Sequence, residues 1–348
     1  MAKMQAARWY GAKDVRIEEV EVPSPKEKEI KLAIKYTGIC GTDLHEYLAG
    51  PIFIPQDQPH PISGIKAPVT LGHEFCGEVV EVGDKVDRVK VGDRVVIEPI
   101  IAHNGLIGDY NLDPDLNFVG LAADGGFAEY CVVDEQLAHI IPEGLSYEQA
   151  ALTEPAAVAL YAVRQSAIKA GDTAVVFGCG PIGLLVIEAL KAAGASKIYA
   201  VELSTERQEK AEELGAVVVR PKADQDMVEA IMELTDGGVD VAYEVTGVPV
   251  VLKQALASVR KAGEVMIVSI WEKEASIHPN EFAIGEKTMK GIIGYRHVFP
   301  KVLELMENGY FPADKLVTQK IKVEDIVEQG FEALTQDKSQ VKILVSPK

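Results

Sequence analysis

The chain has 348 residues, 47% apolar and 25% charged, with a formal net charge of −18. That length exceeds the roughly 250–300 residues at which a single core stops growing, so two domains are expected, and so acidic a surface excludes nucleic acid as a partner. Met1-Ala2-Lys3-Met4-Gln5 opens no apolar run, and the most apolar stretch, Val175 to Ala195, is broken by Gly178, Gly180, Pro181, Gly183, Glu188 and Lys191. Neither an export signal nor a membrane span is expected, and we place the protein in the cytoplasm.

Residues 1–150 read as all-β. Short alternating runs at Val15–Val20, Ile30–Ile34, Gly77–Val82 and Asp93–Ile97 predict half-buried strands, punctuated by turns at Gly83-Asp84 and Gly92-Asp93. Helical periodicity is nearly absent, so a partly open barrel is the economical expectation. Between Pro51 and Thr70 runs a Pro-, Gly- and apolar-rich loop too long for a mere connector.

Near residue 150 the pattern changes. Pro155 sits in the first turn of a predicted helix with Ala156, Leu160, Val163 and Ala167 on one face, closed by Gly171. Predicted strands at Thr173–Gly178, Lys197–Glu202, Val217–Val219, Val239–Val245, Glu264–Ile270 and Met289–Gly294 alternate with helices Ile182–Ala193, Thr205–Leu214, Met227–Leu234 and Val250–Arg260. Strands separated by helices of this length build βαβ units, hence an α/β domain with a doubly wound parallel sheet. After about residue 296 a helix-then-strand pattern resumes and ends in Val341-Lys342-Ile343-Leu344-Val345.

Three short segments carry the chemistry. Gly38-Ile39-Cys40-Gly41-Thr42-Asp43-Leu44-His45 supplies a thiol, Gly72-His73-Glu74 an imidazole and a carboxylate, and Glu154-Pro155 a second carboxylate. Alone, Cys40 or His73 would be read as a core residue, and Glu154 as a helix cap. Together, from distant segments beside glycine or proline, they match a catalytic zinc site, which takes three protein ligands and keeps its fourth position open. We expect Cys40, His73 and Glu154 on the metal, with Glu74 as a supporting group or alternate ligand. Thiolate and carboxylate cancel the ion's charge, and zinc brings the pKa of a bound alcohol towards neutrality. Thr42 and His45 are then placed to carry the proton away. The other cysteines, Cys76, Cys131 and Cys179, are scattered and form no C-x-x-C pair.

The run Thr173–Phe177 leads into Gly178-Cys179-Gly180-Pro181-Ile182-Gly183, a G-x-G-x-x-G turn between a strand and a helix. Such a turn holds a dinucleotide pyrophosphate at the helix N-terminus. Glu202, about 20 residues on at the end of the next strand, is placed to bind both ribose hydroxyls and repel a 2′-phosphate, so NAD is expected over NADP. Arg207 nearby would blunt that preference.

These motifs, with Phe75-Cys76-Gly77-Glu78-Val79 and Val91-Gly92-Asp93-Arg94-Val95, resemble the zinc-dependent medium-chain alcohol and polyol dehydrogenases along essentially the whole chain. Leu44-His45-Glu46-Tyr47-Leu48, Gly50-Pro51-Ile52-Phe53-Ile54-Pro55 and Ile267–Lys273 are similar to the bacterial branch that oxidises (R,R)-2,3-butanediol to acetoin. The resemblance implies a discontinuous GroES-like catalytic domain, 1–153 with 297–348, around a Rossmann domain, 154–296. It also implies hydride transfer from an alkoxide to NAD, with Thr42 and His45 passing the proton outward through the cofactor ribose. A small diol or hydroxyketone is the expected substrate, and a dimer or tetramer of identical chains the expected assembly.

One departure stands out. Where many family members hold a structural zinc on four cysteines, Pro99 to Phe118 has none. One zinc per chain is therefore expected, with Ile100, Ile101, Leu106, Ile107 and Phe118 available to hold that lobe by packing. Two rivals remain. A sorbitol- or xylitol-type polyol dehydrogenase would use the same ligands, although apolar Ile52-Phe53-Ile54 favours a small diol. A zinc-free quinone-reductase-like or structural relative would have lost Cys40, His73 and Glu154.

Overall fold

The computed structural model describes residues 2–347. The chain divides into two compact units, Met1–Pro155 with Arg296–Lys348, and Ala156–Tyr295.

In the first unit the largest sheet runs Ala138–Ile140, Arg94–Ile97, Glu74–Val82, Glu29–Gly38, Lys342–Ser346, Val317–Lys322, with Tyr130–Asp134 also pairing to Glu29–Gly38. Glu29–Gly38 buries Ile30, Leu32 and Ile34 on one face, the period-2 pattern that its sequence carries. A second sheet places Lys3–Gly11 between Asp14–Glu21 and Val69–Thr70. No sheet closes on itself among the described residues. The C-terminal strand matters most for the site, because Leu344 pairs with Gly38 and Val345 with Thr37. It therefore lies beside the strand that leads into Cys40.

Besides the single helical turn Tyr147–Ala150, one longer segment departs from the all-β expectation. Gly41–Ala49 is a helix rather than a loop, and it carries Thr42 and His45. Cys40 N–H donates to Asp43 Oδ2 at 2.9 Å, closing the first turn. Trp9 Nε1 donates to Glu46 O at 2.9 Å, and Tyr47 stacks on Phe331 with ring centroids 5.0 Å apart. Tertiary packing thus fixes a helix too short to show periodicity. Behind it, the π-helical turn Ile326–Glu332 brings Gly330 so close to Ile39 that a Cβ there would lie 2.7 Å from its side chain.

The second unit is a six-stranded parallel sheet in the order Val217–Val218, Lys197–Val201, Thr173–Phe177, Val239–Glu244, Val259–Ile267, Thr288–Gly291. This is the doubly wound order, and its strands are the continuous apolar runs that burial on both faces demands. Expectations fail at several element ends, the sixth strand among them, which stops at Gly291 rather than Gly294. The fifth strand begins at Val259, directly after helix Pro249–Ser258, and the helix holding Leu160 and Val163 stops at Gln165. Ala167 is exposed, and its N–H donates to Glu264.

Candidate active site

The donor atoms of Cys40, His73 and Glu74 all lie within 4.8 Å of one another. Cys40 caps the helix Gly41–Ala49, and Gly72, at φ +98°, turns the chain so that His73 and Glu74 open the strand Glu74–Val82 beside it. Glu154, expected as the third ligand, is buried in the first turn of helix Thr153–Gln165 but does not join that trio.

His73 Nδ1 and Asp43 Oδ1 are 3.5 Å apart, longer than a good hydrogen bond, and neither atom has another hydrogen-bond partner. With Nδ1 turned to Asp43, Nε2 is the nitrogen left for a metal, and Asp43 is the carboxylate that orients the ring. Burial works against a charged His73, yet Asp43 and Cys40 push its pKa well above the usual range. Thiol, imidazole and carboxylate donors within 4.8 Å of one another are the kinds of ligand that zinc takes. The site therefore fits zinc.

Lys342 was not foreseen. It is buried, and its ammonium donates to both Glu74 oxygens, at 2.8 and 2.6 Å, and to Ile39 O at 3.0 Å. Burial alone would lower its pKa, but Glu74, with Cys40 and Glu154, raises it, so the group stays cationic. Thr42 Oγ1 lies 3.8 Å from Cys40 Sγ, and His45, one turn further along the helix, is exposed. Two other carboxylates escaped sequence reasoning. Glu46 accepts backbone N–H bonds from Ile52, Phe53 and Ile54 and so shapes that loop. Of the three, Ile54 is buried in the core while Ile52 is exposed. Glu244 accepts from Thr246 and Gly247 N–H at the end of its strand.

In the second unit, Gly178 sits at φ +94°, and a Cβ at Gly183 would lie 1.8 Å from Gly178 O. Only glycine serves at either place. At Gly180 the nearest atom to a Cβ would be Arg207 Nη1 at 3.9 Å, so the space a side chain would fill lies open at the N-terminus of helix Pro181–Ala192. That cradle, headed by Pro181 and Ile182, fits a pyrophosphate. Glu202 follows the strand Lys197–Val201 and accepts N–H bonds from Cys179 at 2.9 Å, Leu203 at 2.7 Å and Ser204 at 3.0 Å.

The cysteine-free lobe is held partly otherwise than by the packing expected. Ile100 and Ile101 are buried, but Ile107 is 74% exposed and contributes nothing to the core. Polar contacts supply the rest: Tyr110 and His139 both bond the buried Glu98, and His297 N–H donates to Tyr110 Oη at 2.6 Å. At its surface His103, Asp113 and Asp115 form a loose cluster in which His103 already pairs with Asp113 at 2.9 Å.

Comparison with known proteins agrees with this geometry. Residues 26–143 match the alcohol dehydrogenase GroES-like domain, and residues 181–308 match the zinc-binding dehydrogenase domain. The chain is 65% identical to (R,R)-butanediol dehydrogenase of Bacillus subtilis over 99% of its own length and 100% of that protein. It is 35% identical to the sorbitol dehydrogenase of the same organism, over 99% of this chain and 97% of that one. A crystal structure of 2R,3R-butanediol dehydrogenase from Bacillus subtilis superposes with a TM-score of 0.97 at 64% identity, covering 99% of this chain and 100% of that one. Fold, site and likeness agree: the chain belongs to the zinc-dependent medium-chain alcohol dehydrogenases.

Proposed function

We propose that the protein oxidises (R,R)-2,3-butanediol to acetoin with NAD at a site holding one zinc ion, and runs the reduction in reverse. The observation that carries the chemistry is the trio of half-buried Cys40 with buried His73 and Glu74; the full-length likeness to the Bacillus subtilis enzyme names the substrate. Zinc supplies the Lewis acidity that makes an alcohol acidic near neutral pH, and NAD supplies the hydride acceptor. Cys40 and His73 hold the metal with a carboxylate from Glu74 or Glu154, and Asp43 fixes the ring of His73. The diol gives up a hydride from carbon and a proton from oxygen, leaving the ketone. Thr42 takes the proton, and His45, on the same face of the helix, passes it to solvent. Gly178, Gly180, Pro181, Ile182 and Gly183 cradle the pyrophosphate, while Glu202 binds the ribose with Arg207 beside it.

No helix among the described residues is long and apolar enough to cross a membrane. All four cysteines are unpaired, which suits a reducing compartment such as the cytoplasm. We also infer a homo-oligomer. The test of function is a panel of the three butanediol isomers, acetoin, sorbitol and xylitol. The (R,R) isomer and acetoin should give the highest kcat/KM with NAD; a preference for sorbitol would overturn the substrate while leaving the mechanism standing.

A further inference from the structure

We propose that Lys342 is a positioning residue of the metal site, holding Glu74 and the peptide ahead of Cys40 in the geometry a metal needs. The proposal rests on the zinc reading above. The ammonium of Lys342 has three N–H donors, and they meet three acceptors: the two oxygens of Glu74 and the carbonyl of Ile39. The next residue completes the grip, since Ile39 N–H donates to Ile343 O at 3.0 Å. The residue before the cysteine is thus held at its N–H and at its carbonyl by two consecutive residues of the C-terminal strand. Its side chain rests against Gly330, where a Cβ would lie 2.7 Å away. Glu74 is confined equally tightly, because a Cβ on Gly38 would lie 2.1 Å from its Oε2. With both its oxygens bonded to Lys342, Glu74 is not free to swing.

Charge gives the arrangement its second function. The Cys40 thiolate, Asp43, Glu74 and Glu154 crowd negative charge around the site, and the buried ammonium offsets one of those charges where a divalent ion offsets two. Without Lys342, Glu74 would be a buried, unpaired carboxylate at the metal site, with nothing to fix where its oxygens point. A partner of this kind commonly changes metal affinity by about 10–100-fold when removed.

The test uses the full-length protein loaded with Co(II), whose visible d–d bands report ligand number and geometry. Lys342→Met and Lys342→Gln should both shift those bands and release the metal to a chelator at least tenfold faster than the unaltered chain. If Lys342→Met is too unstable to isolate, Lys342→Gln, which removes the charge but keeps a polar side chain, carries the same test. Variants that melt lower but keep the original spectrum and release rate would show a merely structural lysine and overturn the proposal. Failure of the unaltered protein to bind one Co(II) per chain would instead overturn the zinc reading.

Discussion

The carboxylate of Glu202 accepts N–H bonds from Cys179 inside the glycine turn and from Leu203 and Ser204 beyond its own strand. It therefore shapes the glycine turn, besides its proposed contact with the ribose. Glu202→Ala should raise the ratio of NADP to NAD efficiency at least tenfold, about 1.4 kcal/mol of discrimination. Arg207, whose guanidinium lies near Gly180, is then at hand for a 2′-phosphate. NAD efficiency should fall as well, because Cys179 N–H loses its acceptor. Steady-state kinetics with both cofactors checks this, and an unchanged ratio would mean that Glu202 does not read the ribose. Residues of this kind were legible in the sequence because their partners are local: the glycine turn, Glu202 and the Gly72-His73-Glu74 corner each announce themselves within a short span. Lys342 was not, since 268 residues separate it from Glu74 and a lysine in an alternating strand reads as solvent-facing. Asp43 was close to Cys40 and quoted with it, but its cap and its approach to His73 appear only once the helix forms.

Helix Gly41–Ala49 gives the proposed proton relay a fixed geometry. In a loop, Thr42 and His45 would have no fixed relation; one helical turn apart, they share a face. The same helix positions Glu46, whose buried carboxylate is the anchor for the backbone of Ile52, Phe53 and Ile54. Glu46→Ala would leave these three N–H groups without their acceptor, at a cost of about 1–3 kcal/mol. Faster hydrogen exchange over residues 50–55 and a several-fold higher KM for the diol should follow, with metal content unchanged. Unaltered exchange in that loop would show that Glu46 is not its anchor. Elements as a class were legible in proportion to their period and length. The parallel strands stood out as apolar runs, whereas this nine-residue helix, inside a β-rich region and closed by a cysteine cap, carried no comparable signal. The early start of strand Val259–Ile267 was hidden because Arg260, Lys261 and Ala262, all exposed, break the apolar run.

At the scale of the whole molecule, the sheet of the second unit ends in a strand that a solitary chain has reason to avoid. All four residues of Thr288–Gly291 are exposed, and Ile284 and Ile293, 75% and 40% exposed, flank them. Edge strands in stable monomers are usually blunted by charge, proline or a covering segment. The strand's one cation, Lys290, is instead bonded to Gln165 O and Oε1 at 2.8 and 2.9 Å, which draws its ammonium to a partner within the unit. We infer that this edge strand pairs with a second copy, a two-fold axis setting the same strand against itself. The net charge of −18 opposes such association, so the apolar flank must outweigh the repulsion, and dimerisation should strengthen with salt. Met289→Asp combined with Ile293→Asp places like charges across that axis. The doubly substituted protein should run as a monomer in light-scattering chromatography, its dimer weakened at least 100-fold or about 3 kcal/mol, while still binding NAD. An unaltered chain that is monomeric at high concentration and high salt would refute pairing through this edge. A double variant that stays dimeric would move the interface elsewhere on the surface.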